Sequence, residues 1–473
     1  MATVVTRRFR EACLRALPGL GRNVAYWRLL GHVLLDEFRD DRTGELVVPA
    51  KALAEFEGKG EQFRSKNYVA GEFLEAFRRD VVPGFAYRDW RYRDGRARTV
   101  TSHGLPQVVR DAWVEMNAEV AGGASDLVLL ATGLGWTPKA RAGEYRSETE
   151  AIIRSAHARG ASRETLDVIE YQNGLASNGF AHVVNERMDE ALALAESLPV
   201  PESRRHALAY LARIRVRPKP LVHAVENSPR PFWRGMNLLG VKSSVRRVLT
   251  QDWVDYDLKN AQLAIVASDW GIEELQAFLA TGQSIWPVLI ETLGLRAGDK
   301  PALKVAIYSV LFGRPKRRVI ETLDAETGVA GVGKRFFKVP VVKLAFSARE
   351  RRLKKLTSEY GGTTALGKVI PIPYGSGDPV EWVAGARSIL AQQAQALELQ
   401  LVHPVYELAR TTRAFDVMLY QFDGFTVRYR DRRNCALWHR TILEAVERRA
   451  RSLGVHTRLE NDPGAAFAWD LEC

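Results

Sequence analysis

Two hydrophobic periods alternate along the chain. Apolar residues recurring every three to four positions predict helices, and apolar-polar alternation predicts strands. Between about 105 and 215 the helical period is nearly unbroken: "SETEAIIRSAHARGASRETLDVIEYQNGLA" and "ERMDEALALAESLPVPESRRHALAYLARIRV" carry apolar residues at helical spacing, with Ser, Glu and Pro at the breaks. This stretch reads as a helical module with no site of its own. Residues 1 to 95 mix helical periodicity with aromatic-rich polar stretches such as "FAYRDWRYRDGR". At 216 to 235, "VRPKPLVHAVENSPRPFWRG" interrupts both periods with Pro and Arg and marks a change of architecture.

Beyond that break, "WVDYDL" alternates as a strand and places Asp255 and Asp257 on one face, and "AQLAIVASDW" continues as a helix packed into a core. A helical region follows to about 322, then a basic segment to about 375, then a second helix from Val383 to Arg410. In "AFDVMLYQFDGFTVRYRD", Phe415, Val417 and Leu419 alternate before an Asp-Gly pair, and Phe425 and Val427 alternate after it. That pattern predicts a β-hairpin with Asp423 in its turn, although Asp-Gly is also simply what such a turn needs. No low-complexity tract or internal repeat stands out.

A length of 473 residues allows two to four folding units. Lys and Arg number 68 against 56 Asp and Glu, a formal charge of +12 that favours an anionic partner such as nucleic acid. The cysteines, Cys13, Cys435 and Cys473, include no pair at metal or redox spacing, which argues against a disulfide framework and fits a reducing cytoplasm. No apolar run reaches the roughly 18 residues of a membrane span, and "MATVVTRRFREACLRALPGL" lacks the apolar centre of a secretory signal. A soluble protein without membrane contact is expected.

Charge becomes informative in "DKPALKVAIYSVLFGRPKRRV". Asp299 and Pro301 suit a helix start, and Gly313 and Pro315 its end. Leu303, Ala306, Ile307 and Val310 form the core-facing stripe. A second stripe, Lys300, Lys304, Tyr308 and Phe312, sets two ammonium groups and two rings on one side. Such a side offers charge to a polyphosphate and flat surfaces to a base and sugar; a surface patch with incidental aromatics is the alternative. Phosphoryl transfer with two Mg²⁺ ions needs two neighbouring carboxylates, which Asp257 and Asp423 could supply. "GVAGVGK", Gly328 to Lys334, matches half of a phosphate-binding P-loop, but Arg335 stands where Ser or Thr would bind Mg²⁺ and no clear strand precedes the glycines.

Together these segments resemble motifs A, B and C of the DNA polymerase I group, the family A polymerases, whose relatives include the single-subunit RNA polymerases of phages. Motif A of that family runs Asp-Tyr-Ser-Gln-Ile-Glu-Leu-Arg; setting "AQLAIVA" against it makes Asp257 the metal-binding aspartate and places Gln262 at the glutamate. Motif B, Arg-x3-Lys-x3-Phe/Tyr-x3-Tyr-Gly, is matched without a gap by Lys300, Lys304, Tyr308, Phe312 and Gly313. Motif C, His-Asp-Glu, becomes Phe422, Asp423 and Gly424. Arg230, Asn237 and Arg246 in "NSPRPFWRGMNLLGVKSSVRRVL", with Arg387 and Gln395 in "RSILAQQAQALE", fall where the family contacts primer and template. The resemblance covers about 220 to 473.

The resemblance implies an α+β right-hand polymerase with a helical N-terminal region. Its expected parts are an N-terminal region (1–95), a helical thumb-like region (96–215), a first palm segment (216–270), fingers (271–380) and a second palm segment with the hairpin (381–473). It implies a template-directed DNA polymerase that transfers nucleotidyl units from dNTPs to a primer 3′-hydroxyl without proofreading. Asp257 and Asp423 would bind two Mg²⁺ ions, with Mn²⁺ as a substitute, and Lys304 would act in catalysis. Lys300, Lys304, Tyr308, Phe312 and Gln262 would hold the nucleotide; Arg230, Asn237, Arg246, Arg387 and Gln395 would hold the primer-template. Expected partners are DNA primer-template and nucleoside triphosphates, for a cytoplasmic, bacterial or phage-type monomer with optional replication accessory proteins. Gln262 replaces the family's glutamate gate against the ribose 2′-hydroxyl, and Phe312 lacks the tyrosine hydroxyl bonded to that gate. An RNA polymerase or primase-like enzyme on the same scaffold therefore stays open, as does a non-catalytic nucleic-acid-binding relative. "GVAGVGK" then reads as a basic fingers loop.

Overall fold

Helices make up most of the chain, with small antiparallel sheets between them. The computed structural model describes residues 3–35, 45–64, 69–90, 97–101, 104–137, 142–372, 379–430 and 432–463. Cys473 and part of "FAYRDWRYRDGR" lie outside them. Contacts divide the chain into two compact units, one of 1–148, 176–221 and 233–250, the other of 149–175, 222–232 and 251–473. The 96–215 stretch thus contributes to both, rather than forming one module.

In the first unit, helices Gln107–Ala121, Ser177–Glu196 and Pro201–Val216 pack together, as their periodicity requires. Arg213 from the last of these donates to the Val4 carbonyl at 2.7 Å and lies 5.2 Å over the Trp113 ring. A two-stranded pair, Val4–Thr6 with Leu127–Leu129, and a three-stranded sheet in the order Glu45–Pro49, Ala97–Thr101, Tyr87–Trp90 complete the unit. Among its described residues, Trp27, Phe77, Phe85 and Phe180 are the largest fully buried side chains.

The second unit is organised by a four-stranded antiparallel sheet in the order Phe415–Tyr420, Gly424–Tyr429, Val254–Leu258, Leu459–Pro463. The hairpin expected at 415–427 is present, but its first strand is buried on both faces, with a register shift between Val417 and Leu419. Its alternation therefore reflects a fully covered strand. The helix expected over 383–410 runs from Pro379 to Thr412 with Pro404 inside it. Proline removes one N–H and frees the carbonyl four residues earlier. That carbonyl, Gln400, accepts the Arg449 Nε–H at 3.3 Å, so the helix continues through the defect.

The two-faced helix spans Lys300–Leu311, with Asp299 as its N-cap residue. Leu303, Ala306, Ile307 and Val310 are buried, as the core stripe predicts. Its C-terminal end is capped by buried Arg349, whose guanidinium donates to the Val310 and Arg314 carbonyls at 3.0 and 3.2 Å. The glycine-rich "GVAGVGK" follows a helix, Lys316–Thr327, rather than a strand. Its amides are already occupied: the Gly331 and Gly333 N–H groups donate to the Asp324 carboxylate at 3.2 and 2.6 Å. A loop that cradles its own acid does not offer those amides to a phosphate.

Candidate active site

The Val254–Leu258 strand separates its two aspartates chemically. Val254, Tyr256 and Leu258 are buried, while Asp255 and Asp257 face the other way. Beneath the strand, the Tyr256 hydroxyl meets the Tyr429 hydroxyl at 2.6 Å and His439 Nδ1 at 2.7 Å, which docks it on the Cys435–Ser452 helix. Asp255 accepts hydrogen bonds from Thr426 Oγ1 and from Gln421 Nε2, the latter at 3.1 Å. It is a satisfied residue of the sheet. Asp257 presents surface to solvent, and its cross-strand neighbours are Gly424 and Glu460.

Asp423 is brought beside Asp257 by an unusually close strand approach. A Cβ at Gly424 would lie 2.4 Å from the Tyr256 carbonyl oxygen and 3.3 Å from Asp257 Oδ1, so only glycine fits. The Leu258 N–H donates to the Asp423 carbonyl at 3.0 Å and anchors the turn to the strand end. The turn differs from the Asp-Gly expectation, because the residue with positive φ is Phe422, at 69°. A left-handed aromatic costs roughly 1–3 kcal/mol and persists only where its surroundings impose it. Here Phe232 and Tyr420 pack against its ring at 5.3 and 5.8 Å, and the Arg230 guanidinium lies 5.0 Å over it.

The two carboxyls repel one another. Asp257 is pushed up to about 7, first by the protein that crowds its carboxyl and then by the Asp423 charge, with Lys304 opposing and Glu460 adding to the rise. Asp423 is raised mainly by burial, against its own backbone amide and the charges of Arg230 and Lys304. Tyr308 is pushed up to about 12 by desolvation and then by the charges of Asp423, Asp257 and Glu398. Lys304 therefore acts on both acids, and Tyr308, one turn further along the two-faced helix, lies in their field. Lys300 stands exposed at the start of that helix, and Phe312 closes its end, donating its N–H to the Tyr308 carbonyl at 2.9 Å.

A third acid that the sequence reading missed adjoins this site. Glu398, on the Pro379–Thr412 helix, is fully buried, and its Oε2 accepts from both Arg230 Nη2 and Gln262 Nε2. Burial pushes its carboxyl up to about 8, with the Arg230 charge opposing. The available signal was positional: Glu398 shares a core stripe with Ala394, Leu401 and Val405, where an apolar residue belongs. Of the remaining expected residues, Gln395 accepts from Ser228 Oγ at 2.8 Å, and the Arg387 side chain packs on Gly313, where a Cβ would meet its Cγ at 2.5 Å. Asn237 and Arg246 belong to the first unit. Asn237 is buried, and its amide accepts from the Leu239 N–H at 2.9 Å and donates to the Gly235 carbonyl at 2.7 Å.

Among the described residues, no group of three or more His, Cys, Asp or Glu side chains is gathered as a metal site. No helix among them is long and apolar enough to cross a membrane. No family model and no curated protein matches the sequence. Among solved structures, the chain is similar to the POL domain of Pol1 from M. smegmatis in complex with DNA primer-template and dNTP. The identity is 14% and the TM-score 0.45, over 78% of this chain and 74% of that one.

Proposed function

We propose that the second unit carries a nucleotidyl-transfer site and that the protein is a template-directed DNA polymerase of the family A type. The observation that carries this reading is the juxtaposition of Asp257 and Asp423 at the end of adjoining strands, in the field of Lys304 and Tyr308. Two adjoining carboxyls, both raised by burial and one of them further by the other's charge, form a hard-oxygen site that gains from a divalent cation. Mg²⁺ takes one or two carboxylates and completes its shell with water and substrate phosphates, so this donor set fits it without a third protein ligand. When bound, the ions would supply the charge that activates a primer 3′-hydroxyl and stabilises departing pyrophosphate.

The chain's own residues then divide the work. Asp257 and Asp423 hold the cation-binding oxygens on a rigid sheet and turn. Lys304 neutralises triphosphate charge, Lys300 extends that charge along the helix, and Tyr308 offers its ring to the incoming base. Phe312 and Gln262 border the sugar, while Arg230, Arg387 and Gln395 face primer and template. In this reading the sheet is the palm, the Lys300–Leu311 helix belongs to the fingers, and no proofreading activity accompanies them.

Primer extension tests the proposal: dNTPs against rNTPs, on DNA and RNA templates, with and without primer, for the wild type and for Asp257→Ala and Asp423→Ala. Template-dependent dNTP addition abolished by either substitution is the expected result. Extension indifferent to both substitutions would sink the mechanism. A preference for rNTPs would sink the DNA assignment in favour of an RNA polymerase, a reading that Gln262 and Phe312 keep in play.

A further inference from the structure

Glu398 is a fully buried acid to which the reaction above gives no task. Its single oxygen Oε2 is the common acceptor for two donors, Arg230 and Gln262. Each donor comes from beside one of the two aspartates. Gln262 sits in the first turn and a half of the helix that follows Asp257. Arg230 lies over the ring of Phe422, the residue before Asp423, and its charge acts on Asp423. An arginine in that place is a hazard to a cation site. Its guanidinium side chain is only 16% exposed, so removing its counter-ion leaves a desolvated charge that will seek another carboxylate. The carboxylate whose charge already bears on it is Asp423.

We propose that Glu398 is a positioning residue of the active site: as a carboxylate it neutralises Arg230 and holds it against the Phe422 turn, and so keeps Asp423 available to a divalent cation. The same oxygen ties down Gln262, so one buried carboxylate sets both segments that carry the aspartates. The inference rests on the reading of Asp257 and Asp423 as the metal pair, and it concerns a residue to which the resemblance gave no role.

The test is Mn²⁺ binding to the full-length protein without primer-template, read from the electron paramagnetic resonance of free Mn²⁺, with thermal unfolding to confirm the fold. At pH 9, above the value of about 8 to which burial raises Glu398, the residue is ionised; there, without air, Glu398→Gln keeps the shape and both acceptor contacts but removes the charge, and it should weaken Mn²⁺ binding by about tenfold or more. The double variant Arg230→Met, Glu398→Met removes competitor and counter-ion together and should restore binding to within about threefold of the wild type. Restoration is the outcome a merely structural role for Glu398 does not produce. Binding that is lost in Asp257→Ala and Asp423→Ala yet unmoved by Glu398→Gln overturns this inference alone. A double variant that folds but binds as weakly as Glu398→Gln also overturns it. Binding that survives both aspartate substitutions overturns the metal reading, and this inference falls with it.

Discussion

The two ends of the Phe415–Tyr429 hairpin carry one aspartate each, and the protein treats them in opposite ways. At the open end, Asp416 is 3% exposed and enclosed by arginines: Arg428 Nη2 lies 3.0 Å from it, and Arg430 holds it with two nitrogens at 2.6 and 3.1 Å. Burial alone would raise its carboxyl, but these hydrogen bonds and charges bring it below the usual carboxylate range. At the turn, Asp423 is raised by burial and faces another acid, on a strand approach that only glycine permits and after a residue in a left-handed conformation. A satisfied acid holds strands together; an unsatisfied one, kept in place by strain and close packing, is poised for something that arrives from outside.

Asparagine substitutions at the two ends should separate these roles most sharply. Asp423→Asn is expected to lower the extension rate by at least about 10²-fold while leaving thermal stability unchanged or higher, because it relieves repulsion and removes a cation-binding oxygen. Asp416→Asn should do the reverse. It leaves two arginines short of their acceptor and should cost about 1–3 kcal/mol in chemical denaturation, discounted because Arg430 is half in solvent, with the rate per folded molecule retained. If both substitutions acted mainly on stability, the distinction between the ends would collapse.

Gly424→Ala probes what holds the turn. Its Cβ would press on the Tyr256 carbonyl, a backbone atom that cannot rotate away, so a loss of about 1–3 kcal/mol is expected together with a slower extension rate. A fully stable, fully active alanine variant would show that the close approach is incidental. The P-loop look-alike supplies a milder contrast of the same kind. Asp324→Ala leaves the Gly331 and Gly333 amides without their acceptor and should cost about 1–2 kcal/mol with no change in rate; a loss of nucleotide affinity would instead reopen that loop as a phosphate site.

What the sequence reveals and hides follows the same division. The stripe Leu303, Ala306, Ile307 and Val310 and the alternation around Asp257 were legible because helix and strand periods are local and each face meets one environment. The hairpin and the place of Asp423 in its turn were legible too, but the backbone of that turn was not, because Asp-Gly is a local preference. Gly424 answers to the Tyr256 carbonyl across the sheet, and the left-handed position passed to Phe422, whose ring is held by Phe232 and Arg230. Glu398 showed in the sequence only as an acid on an apolar stripe, and its task was hidden because its partners lie 168 and 136 residues away along the chain. Pro404 did not interrupt the helix expected over 383–410, because Arg449, 49 residues from Gln400, takes up the freed carbonyl. Local rules fail here where long-range contacts impose a residue, and those places cluster around the candidate site.

The smallest expected effect is in the pH dependence of stability, and it too distinguishes a satisfied acid from an unsatisfied one. Asp416 has a depressed folded pKa, so its contribution is present above the unfolded value, near 3.8, and is lost as pH falls through the folded pKa. Glu398 has the opposite sign. Its folded pKa is raised from 4.5 to about 8, so the folded state binds the proton more tightly and its contribution is complete below 4.5 and lost as pH rises towards 8. Denaturation midpoints measured from pH 3 to 9 should therefore show Asp416→Asn flattening the acid limb and Glu398→Gln flattening the decline between 4.5 and 8. A decline in that window unchanged by Glu398→Gln would mean that Arg230 holds Glu398 ionised throughout, which leaves the neutralised pair intact but removes its proton from the balance.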